Sequence, residues 1–320
     1  MNLLDKKDLK GFIEELKKEA DVFAPFSSDG LIFFKEIKDK MPEFTYLNTT
    51  IPLKSLFLPQ TEELLRFNIK KDGIEITESP PDNKKRIIIG CRPCDAKALN
   101  ILDKVFLDFP EDSFYKKRRE NTIIISLLCK EPDKTCFCTS FGYDMSCGSD
   151  ILMAEDGNNY YFEPITEKGK AIVPDGSGIK DQGLGIRTKT HISLDNLSLS
   201  FNSPKWEEIS LKCLGCGICT YLCPTCYCFD IADEKNSRFR CWDSCAFAFF
   251  TKMVAHQPRK EQFQRFRNRI MHKFSYFKER FGEYACVGCG RCIRHCPVSM
   301  DILEVIEKSG VRRKRSGVKG

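Results

Sequence analysis

No run of apolar residues in this chain of 320 approaches the roughly 18–20 that a membrane span needs, so no membrane-spanning segment is expected. The N-terminus, MNLLDKKDLKGF, places charges where a secretion signal needs its apolar region. A cytoplasmic location is the expectation. A complete nucleotide fingerprint is also missing. Gly176-Ser-Gly178 and Gly183-Leu-Gly185 each open a G-x-G-x-x-G pattern and neither completes it. No clear strand–loop–helix context surrounds them, so both read as turns, and the chain has no recognisable flavin or nicotinamide site. Histidine is scarce. His191, His256, His272 and His295 are the four, none near the N-terminal cysteines in sequence, which argues against much proton chemistry.

Cysteine, by contrast, is abundant at eighteen residues. In a short secreted chain that number would mean disulfides. Here the length and the clustering at ligand spacing point to a reducing compartment and metal sites. The composition, 42% hydrophobic and 30% charged, is that of an ordinary globular protein long enough for two domains.

The densest cysteines form two copies of one pattern. Cys213-Leu-Gly-Cys216-Gly-Ile-Cys219-Thr-Tyr-Leu-Cys223-Pro224 and Cys286-Val-Gly-Cys289-Gly-Arg-Cys292-Ile-Arg-His-Cys296-Pro297 both read C-x₂-C-x₂-C-x₃-C-P. In this ferredoxin run three thiolates wrap one 4Fe–4S cubane and the fourth ligates the other cluster. Cys213, Cys216, Cys219 and Cys296 are therefore assigned to one cluster, and Cys223, Cys286, Cys289 and Cys292 to a second. Structural zinc would need only one set of four ligands; two complete runs, each closed by proline, favour iron–sulfur. Clusters with four thiolates are anionic and offset much of the chain's formal charge of +6. Nucleic acid is accordingly not an expected partner, and the basic end, Val311-Arg-Arg-Lys-Arg-Ser316, reads as a solvated tail.

Ahead of these runs the pattern is α/β. Residues 1–20 read as a helix with Leu9, Phe12, Ile13, Leu16 and Ala20 on one stripe. Leu31–Phe34 and Ile51–Leu58 read as strands or turns, and Tyr160–Phe162 and Ala171–Val173 as strand-like pieces. Arg86–Gly90 reads as a buried strand and Ala96–Phe106 as a helix with Asp95 as its N-cap. Asn121–Leu128 returns as a second apolar strand, so the two should lie parallel. That places Cys94 and Cys129 past the C-terminal ends of parallel strands, where α/β proteins put ligands. Cys136-Phe-Cys138 follows within reach. A third 4Fe–4S cluster is expected on Cys94, Cys129, Cys136 and Cys138, with Asp95 an alternative oxygen ligand; free buried cysteines are the plainer alternative. Cys91 and Cys147 are left over; either could replace a member of this set, and a bystander thiol is the expected role of each.

In the C-terminal part, 73 positions separate Cys213 from Cys286, more than a compact βαββαβ ferredoxin has. Phe263, Phe266, Ile270, Phe274, Phe277 and Phe281 recur at helical spacing in that gap, which favours helices wrapped around two clusters. Arg265, Arg267, Arg269, Lys273, Lys278 and Arg280 read mostly as the solvated face of this helix, a few of them offsetting cluster charge or meeting an acidic partner. Asp301–Lys308 reads as a last helix with Ser299 as cap. Cys226, Cys228, Cys241 and Cys245 remain as candidates for a fourth cluster, with zinc, structural thiols or cluster-side contacts as the alternatives. The fold expected is α+β: an N-terminal α/β domain with a partly parallel sheet over residues 1–205, an α-helical dicluster ferredoxin domain over 206–310, and a basic tail over 311–320.

Gly90-Cys-Arg-Pro-Cys94-Asp95, Leu128-Cys129 with Cys136-Phe-Cys138, Cys223-Pro-Thr-Cys226-Tyr-Cys228, Trp242-Asp-Ser-Cys245 and Cys286-Val-Gly-Cys289-Gly-Arg-Cys292 occur in that order. Together they resemble the iron–sulfur beta subunits of cytoplasmic sulfhydrogenases, which are NiFe hydrogenases, and the related A subunit of anaerobic sulfite reductase. The resemblance maps onto Cys94, Asp95, Cys129, Cys136, Cys138, all eight ferredoxin cysteines, Cys226, Cys228 and Cys245, and not onto Cys91, Cys147 or Cys241. It implies an electron-transfer subunit of a multi-subunit complex. Such a subunit relays electrons between a flavin- and 2Fe–2S-bearing NAD(P)H-handling subunit and a catalytic subunit of hydrogenase or sulfite reductase type, and does no bond chemistry itself. The other reading is a redox enzyme acting on a small sulfur compound at the N-terminal cluster.

Overall fold

The computed structural model of the chain describes residues 3–173, 194 and 197–309. The glycine pairs at 176–178 and 183–185, His191 and the basic tail lie outside the described residues. In chain order the strands are β1 (Leu3–Asp5), β2 (Asp21–Ser28), β3 (Leu31–Glu36), β4 (Thr61–Lys70), β5 (Gly73–Glu78), β6 (Arg86–Cys91), β7 (Thr122–Leu127), β8 (Ile151–Asp156), β9 (Asn159–Pro164), β10 (Phe229–Glu234) and β11 (Ser237–Trp242). The chain divides into two compact units. One comprises Met1–Phe57, Pro81–Thr188 and Val287–Cys289; the other comprises Leu58–Pro80, Lys189–Cys286 and Gly290–Gly320. Neither is one continuous stretch, because the β4–β5 hairpin belongs to the second unit and three residues of the second ferredoxin run belong to the first.

The first unit is built on a seven-stranded sheet of order β1-β9-β8-β7-β6-β2-β3. Its centre is parallel, with β2 on β6, β6 on β7 and β7 on β8, and its flanks are antiparallel. The apolar runs 87–89 and 123–125 lie in β6 and β7, where Ile88, Ile89, Ile124 and Ile125 are completely buried. Burial on both faces explains why these strands read as continuous rather than alternating apolar segments. Ile87, Ile89, Ile125 and Leu127 share a core with Leu9, Ile13 and Leu16 of helix α1 (Leu9–Glu19). Only that half of the expected 1–20 helix forms. Leu3–Asp5 is taken as an edge strand by β9, and Asp5 caps a 3-10 turn at Lys6–Asp8 through Lys7 N at 3.0 Å.

Helix α2 (Pro93–Phe106) follows β6 directly. Its N-cap is Arg92 rather than the expected Asp95. Proline at the first helical position fixes the start there, where no N–H is required, and Asp95 falls in the first turn. Helix α3 (Ser113–Glu120), capped by Asp112, leads into β7. The segment at 171–173, expected as a strand, closes helix α4 (Glu167–Ile172), whose cap Thr166 accepts from Gly169 N at 3.3 Å; a strong cap outweighs the short apolar run.

The second unit carries an antiparallel sheet of order β10-β11-β4-β5 and helices α5 (Lys205–Ser210), α6 (Ile218–Tyr221), α7 (Gln262–Met271), α8 (Phe277–Phe281), α9 (Arg291–Arg294) and α10 (Ile302–Lys308). Asp301 caps α10 through Leu303 N at 2.7 Å. The expected cap, Ser299, instead holds a left-handed turn with φ of 53°. The phenylalanine-rich helix is continuous but not uniform: α7 and α8 are joined by a π-helical turn, His272–Tyr276. Lys273, Phe274, Ser275 and Phe277 are all buried there, a wider inward face than the stripe of an ordinary α-helix. Burying Phe274 and Phe277 contributes roughly 1.5–3 kcal/mol each. Arg269 and Lys273, expected mostly on the solvated face, are 7% and 2% exposed.

Candidate metal centres

The two ferredoxin runs fold as copies of one backbone. Gly215 and Gly288 both have φ of 62°, and Gly217 and Gly290 have φ of 76° and 75°. Each later glycine is the N-cap of a one-turn helix, α6 or α9. Those left-handed turns require glycine, and they curl each run so that its cysteines can face one point. Cys213, Cys216, Cys219, Cys292 and Cys296 line one cavity of about 60 Å³, walled by Phe266, Ile270, Met300, Ile302 and Val305. Gly215 N points at Cys213 Sγ at 3.4 Å. Burial pushes the Cys213 thiol up, and Cys219, Cys216 and Cys296 add to this by their closeness.

In the first unit the four thiols expected past the strand ends border a common cavity. Cys94, in the first turn of α2, lines one cavity of about 30 Å³ with Cys129, which stands two residues past β7, and with Cys136 and Cys138. Leu47, Leu128 and Met145 close the cavity, and Cys289 contributes to its wall. The Val287–Cys289 segment is pinned there by Phe137 N on Gly288 O at 2.8 Å and by Asn48 Nδ2 on Cys289 O at 3.0 Å. Burial raises the Cys129 thiol, which Arg92 opposes, and pushes the Cys138 thiol up to about 12. Asp95, fully buried on α2, is not among the residues lining this cavity.

Arg92 is a site residue that spacing rules did not mark. It is 6% exposed, its guanidinium lies 4.4 Å from the Tyr46 ring, and it donates to five backbone carbonyls. These are Leu47 O at 2.9 Å, Leu127 O at 3.3 Å, Leu128 O at 3.0 Å, Phe44 O at 3.4 Å and Tyr46 O. It thereby ties the 44–47 loop to the end of β7 just ahead of Cys129. The signal for it was the arginine inside Cys91-Arg-Pro-Cys94. Cys91 itself points elsewhere: it is completely buried, sits 3.5 Å from Ser126 Oγ, and burial pushes its thiol up to about 12. Cys147 lies in a turn, its N–H on Asp144 O at 3.2 Å.

The other thiols of the second unit gather around the π turn. Cys223 is buried and accepts from Lys273 Nζ at 3.1 Å. Its thiol is held well below the usual range, first by a hydrogen bond from Cys226 and then, against the effect of burial, by Lys273 and Arg269. Cys226 is pushed up by the same bond. Cys245 is raised by hydrogen bonding with Cys228, then by burial. Cys226 thus pairs with Cys223 and Cys228 with Cys245, while Cys241 sits within β11 opposite Thr61 and Asp230. Cys286 acts electrostatically on Lys273.

These donor sets fit iron–sulfur clusters. Each cavity is lined by thiols among apolar groups, with Asn48 and Arg92 as the other polar residues of one and Gln262, Arg265 and Arg269 of the other. The two buried cations supply a second check. The opposite charges acting on Lys273 are those of Cys223, Cys226 and Cys286, and on Arg269 those of Cys219, Cys292, Cys226 and Cys223. Thiolates, the form in which iron holds cysteine, would compensate these cations, and Cys223, bonded to Lys273, is already held well below the usual thiol range. Among the described residues no three His, Cys, Asp or Glu side chains close on one point as a single ion demands.

Residues 212–300 match the family described as 4Fe-4S dicluster domain. Over nearly its whole length the chain is 32% identical to the sulfhydrogenase 2 subunit beta of Pyrococcus furiosus, covering 93% of this chain and 94% of that one. The chain belongs to the sulfhydrogenase beta-subunit family. It is therefore an iron–sulfur subunit of oxidoreductase type, an α/β unit with a partly parallel sheet joined to a 4Fe–4S dicluster domain. No solved structure matches it. Among the described residues no helix is long and apolar enough to cross a membrane.

Proposed function

We propose that this chain relays electrons through a series of 4Fe–4S clusters between a flavin- and 2Fe–2S-bearing subunit that handles NAD(P)H and a catalytic subunit of hydrogenase or sulfite reductase type. The observation that carries the reading is the gathering of separate thiol sets into distinct cavities of one chain. Cys213, Cys216, Cys219 and Cys296 hold the first cluster in this reading, and Cys223, Cys286, Cys289 and Cys292 the second. Cys94, Cys129, Cys136 and Cys138 hold the third. Cys226, Cys228 and Cys245 form a further thiol group, with Cys241 left in its strand. When bound, the clusters supply one-electron storage. The protein positions them and sets their potentials by burial, hydrogen bonds to sulfur and nearby charge. The test is anaerobic purification with associated subunits, identified by mass, followed by reductive titration. Reducible clusters, co-purifying redox subunits and no turnover by the isolated chain support the relay; a chain that holds only zinc or shows no reversible one-electron signal defeats it.

A second reading has one observation in its favour. A cavity of about 370 Å³ opens beside Cys129, lined by Thr45, Tyr46, Arg92, Lys130 and Glu155, large enough for a small molecule next to the third thiol set. Turnover of a small sulfur compound by the isolated, reconstituted chain with an artificial electron donor would favour that reading over the relay.

A further inference from the structure

The two ferredoxin runs share a backbone, yet their closing cysteines stand in different surroundings. Cys296 Sγ has no cationic hydrogen-bond donor among the described residues. Cys223 Sγ has one, Lys273, which is 2% exposed. An ammonium has three protons to give, and here all are directed: to Ala285 O at 2.7 Å, to Thr225 Oγ1 at 2.9 Å and to Cys223 Sγ at 3.1 Å. Thr225 donates its own proton to Ala285 O at 2.7 Å, so its oxygen is oriented to accept from the lysine. As an iron ligand Cys223 can only accept, which leaves the Lys273 bond as its charged contact.

Arg269 stands one helical turn earlier. It is 7% exposed, donates to Cys219 O at 3.0 Å, and its Nε has no hydrogen-bond partner among the described residues. The thiols acting on it come from both runs, Cys219 from one and Cys292 from the other. Arg269 therefore bears on both clusters, and Lys273 breaks the symmetry between them. The π turn that begins at His272 keeps this part of the helix turned inward; such turns occur frequently at functional sites.

We propose that Lys273, backed by Arg269, sets the potential of the cluster that Cys223 helps to hold, keeping it easier to reduce than its counterpart closed by Cys296. The inference rests on the cluster assignment above. Its physics is direct. Reduction adds one negative charge to a cubane, and a fixed cation hydrogen-bonded to a ligand sulfur in a low-dielectric interior favours the added electron.

The test is a redox titration followed by electron paramagnetic resonance on the full-length, anaerobically prepared protein, with iron counted in each sample. Lys273→Met nearly preserves volume and removes the charge. It is expected to leave iron content unchanged and to move one midpoint negative by about 59 mV or more, a tenfold change in a one-electron equilibrium. Lys273→Arg is expected to return that midpoint toward the parent value, which a purely structural role would not require. If Lys273→Met fails to retain iron, Lys273→Gln is read instead, with the same negative shift expected. Full iron and unmoved midpoints in a neutral variant overturn the proposal. Cys223→Ser separates the two levels: unchanged iron and unchanged signals in that variant sink the cluster assignment itself, whereas loss of one signal with no lysine effect sinks only the role of Lys273.

Discussion

A methyl group at Gly288 would meet the backbone of Phe137 and Cys138 at 2.5 Å, and the residue holds φ of 62°. Neither neighbour is a flexible side-chain end, so the loop carrying Cys289 must move if the glycine is replaced. Gly288→Ala is expected to cost on the order of 1–2 kcal/mol from the left-handed backbone alone, seen as a lower melting temperature and faster iron release to a chelator. Cys91 provides the opposite case. Its thiol faces Ser126 rather than the cavity, so Cys91→Ala should leave the iron count unchanged, while Cys138→Ser should remove about four iron per chain, the content of one cubane. Equal iron in both variants would refute the set of four. Of the two cysteines in Cys91-Arg-Pro-Cys94 the sequence favoured Cys94 but left Cys91 able to replace it, because spacing does not say which thiol turns toward the cavity and which toward Ser126. Arg92 was not legible, because it works on carbonyls from 44 to 47 and from 127 to 128, which only the fold brings beside it.

Strands β4 and β11 hold a buried ion pair, Glu62 with Arg240, whose side chains are 5% and 7% exposed. Removing one member leaves the other charge uncompensated in a low-dielectric site, at a cost of roughly 3–5 kcal/mol. Arg240→Met should therefore lower the denaturant midpoint strongly. The double variant with Glu62→Met should recover much of the loss, since two apolar groups need no partner. A single variant no less stable than the parent would show the pair to be idle. Elements of this kind were the least readable part of the fold. The strands β6 and β7 announced themselves as apolar runs and came out parallel in the expected order. The 1–20 helix was overcalled because an edge strand competes for Leu3–Asp5 through a partner more than 150 residues away. Which basic residues of α7 and the π turn would face inward was hidden for a related reason. Helical periodicity gives these residues a polar stripe and allows a few to offset cluster charge, but nothing local singles out Arg269 and Lys273 as the buried ones.

For the whole molecule, those two cations give the clusters a structural part as well as an electronic one. The first unit has an extended hydrophobic core, from Leu9 and Ile13 through the β6 and β7 isoleucines to Phe162, that does not depend on metal. In the second unit Lys273 and Arg269 are buried against sulfurs. Stripping the iron lets the other sulfurs protonate while Cys223, held low beside Lys273, stays the anionic partner, so two buried cations are left with less compensation. An uncompensated buried charge costs several kcal/mol, against a total folding stability of about 5–15 kcal/mol for a domain. Metal binding and folding are then coupled in the second unit far more tightly than in the first. Brief treatment of the reduced protein with an iron chelator, followed by limited proteolysis and mass mapping, should open the region from 205 to 308 to cleavage while residues 3–173 remain largely resistant. Cleavage spread evenly over both regions, or a second unit that stays closed without iron, would show that these buried cations find compensation elsewhere.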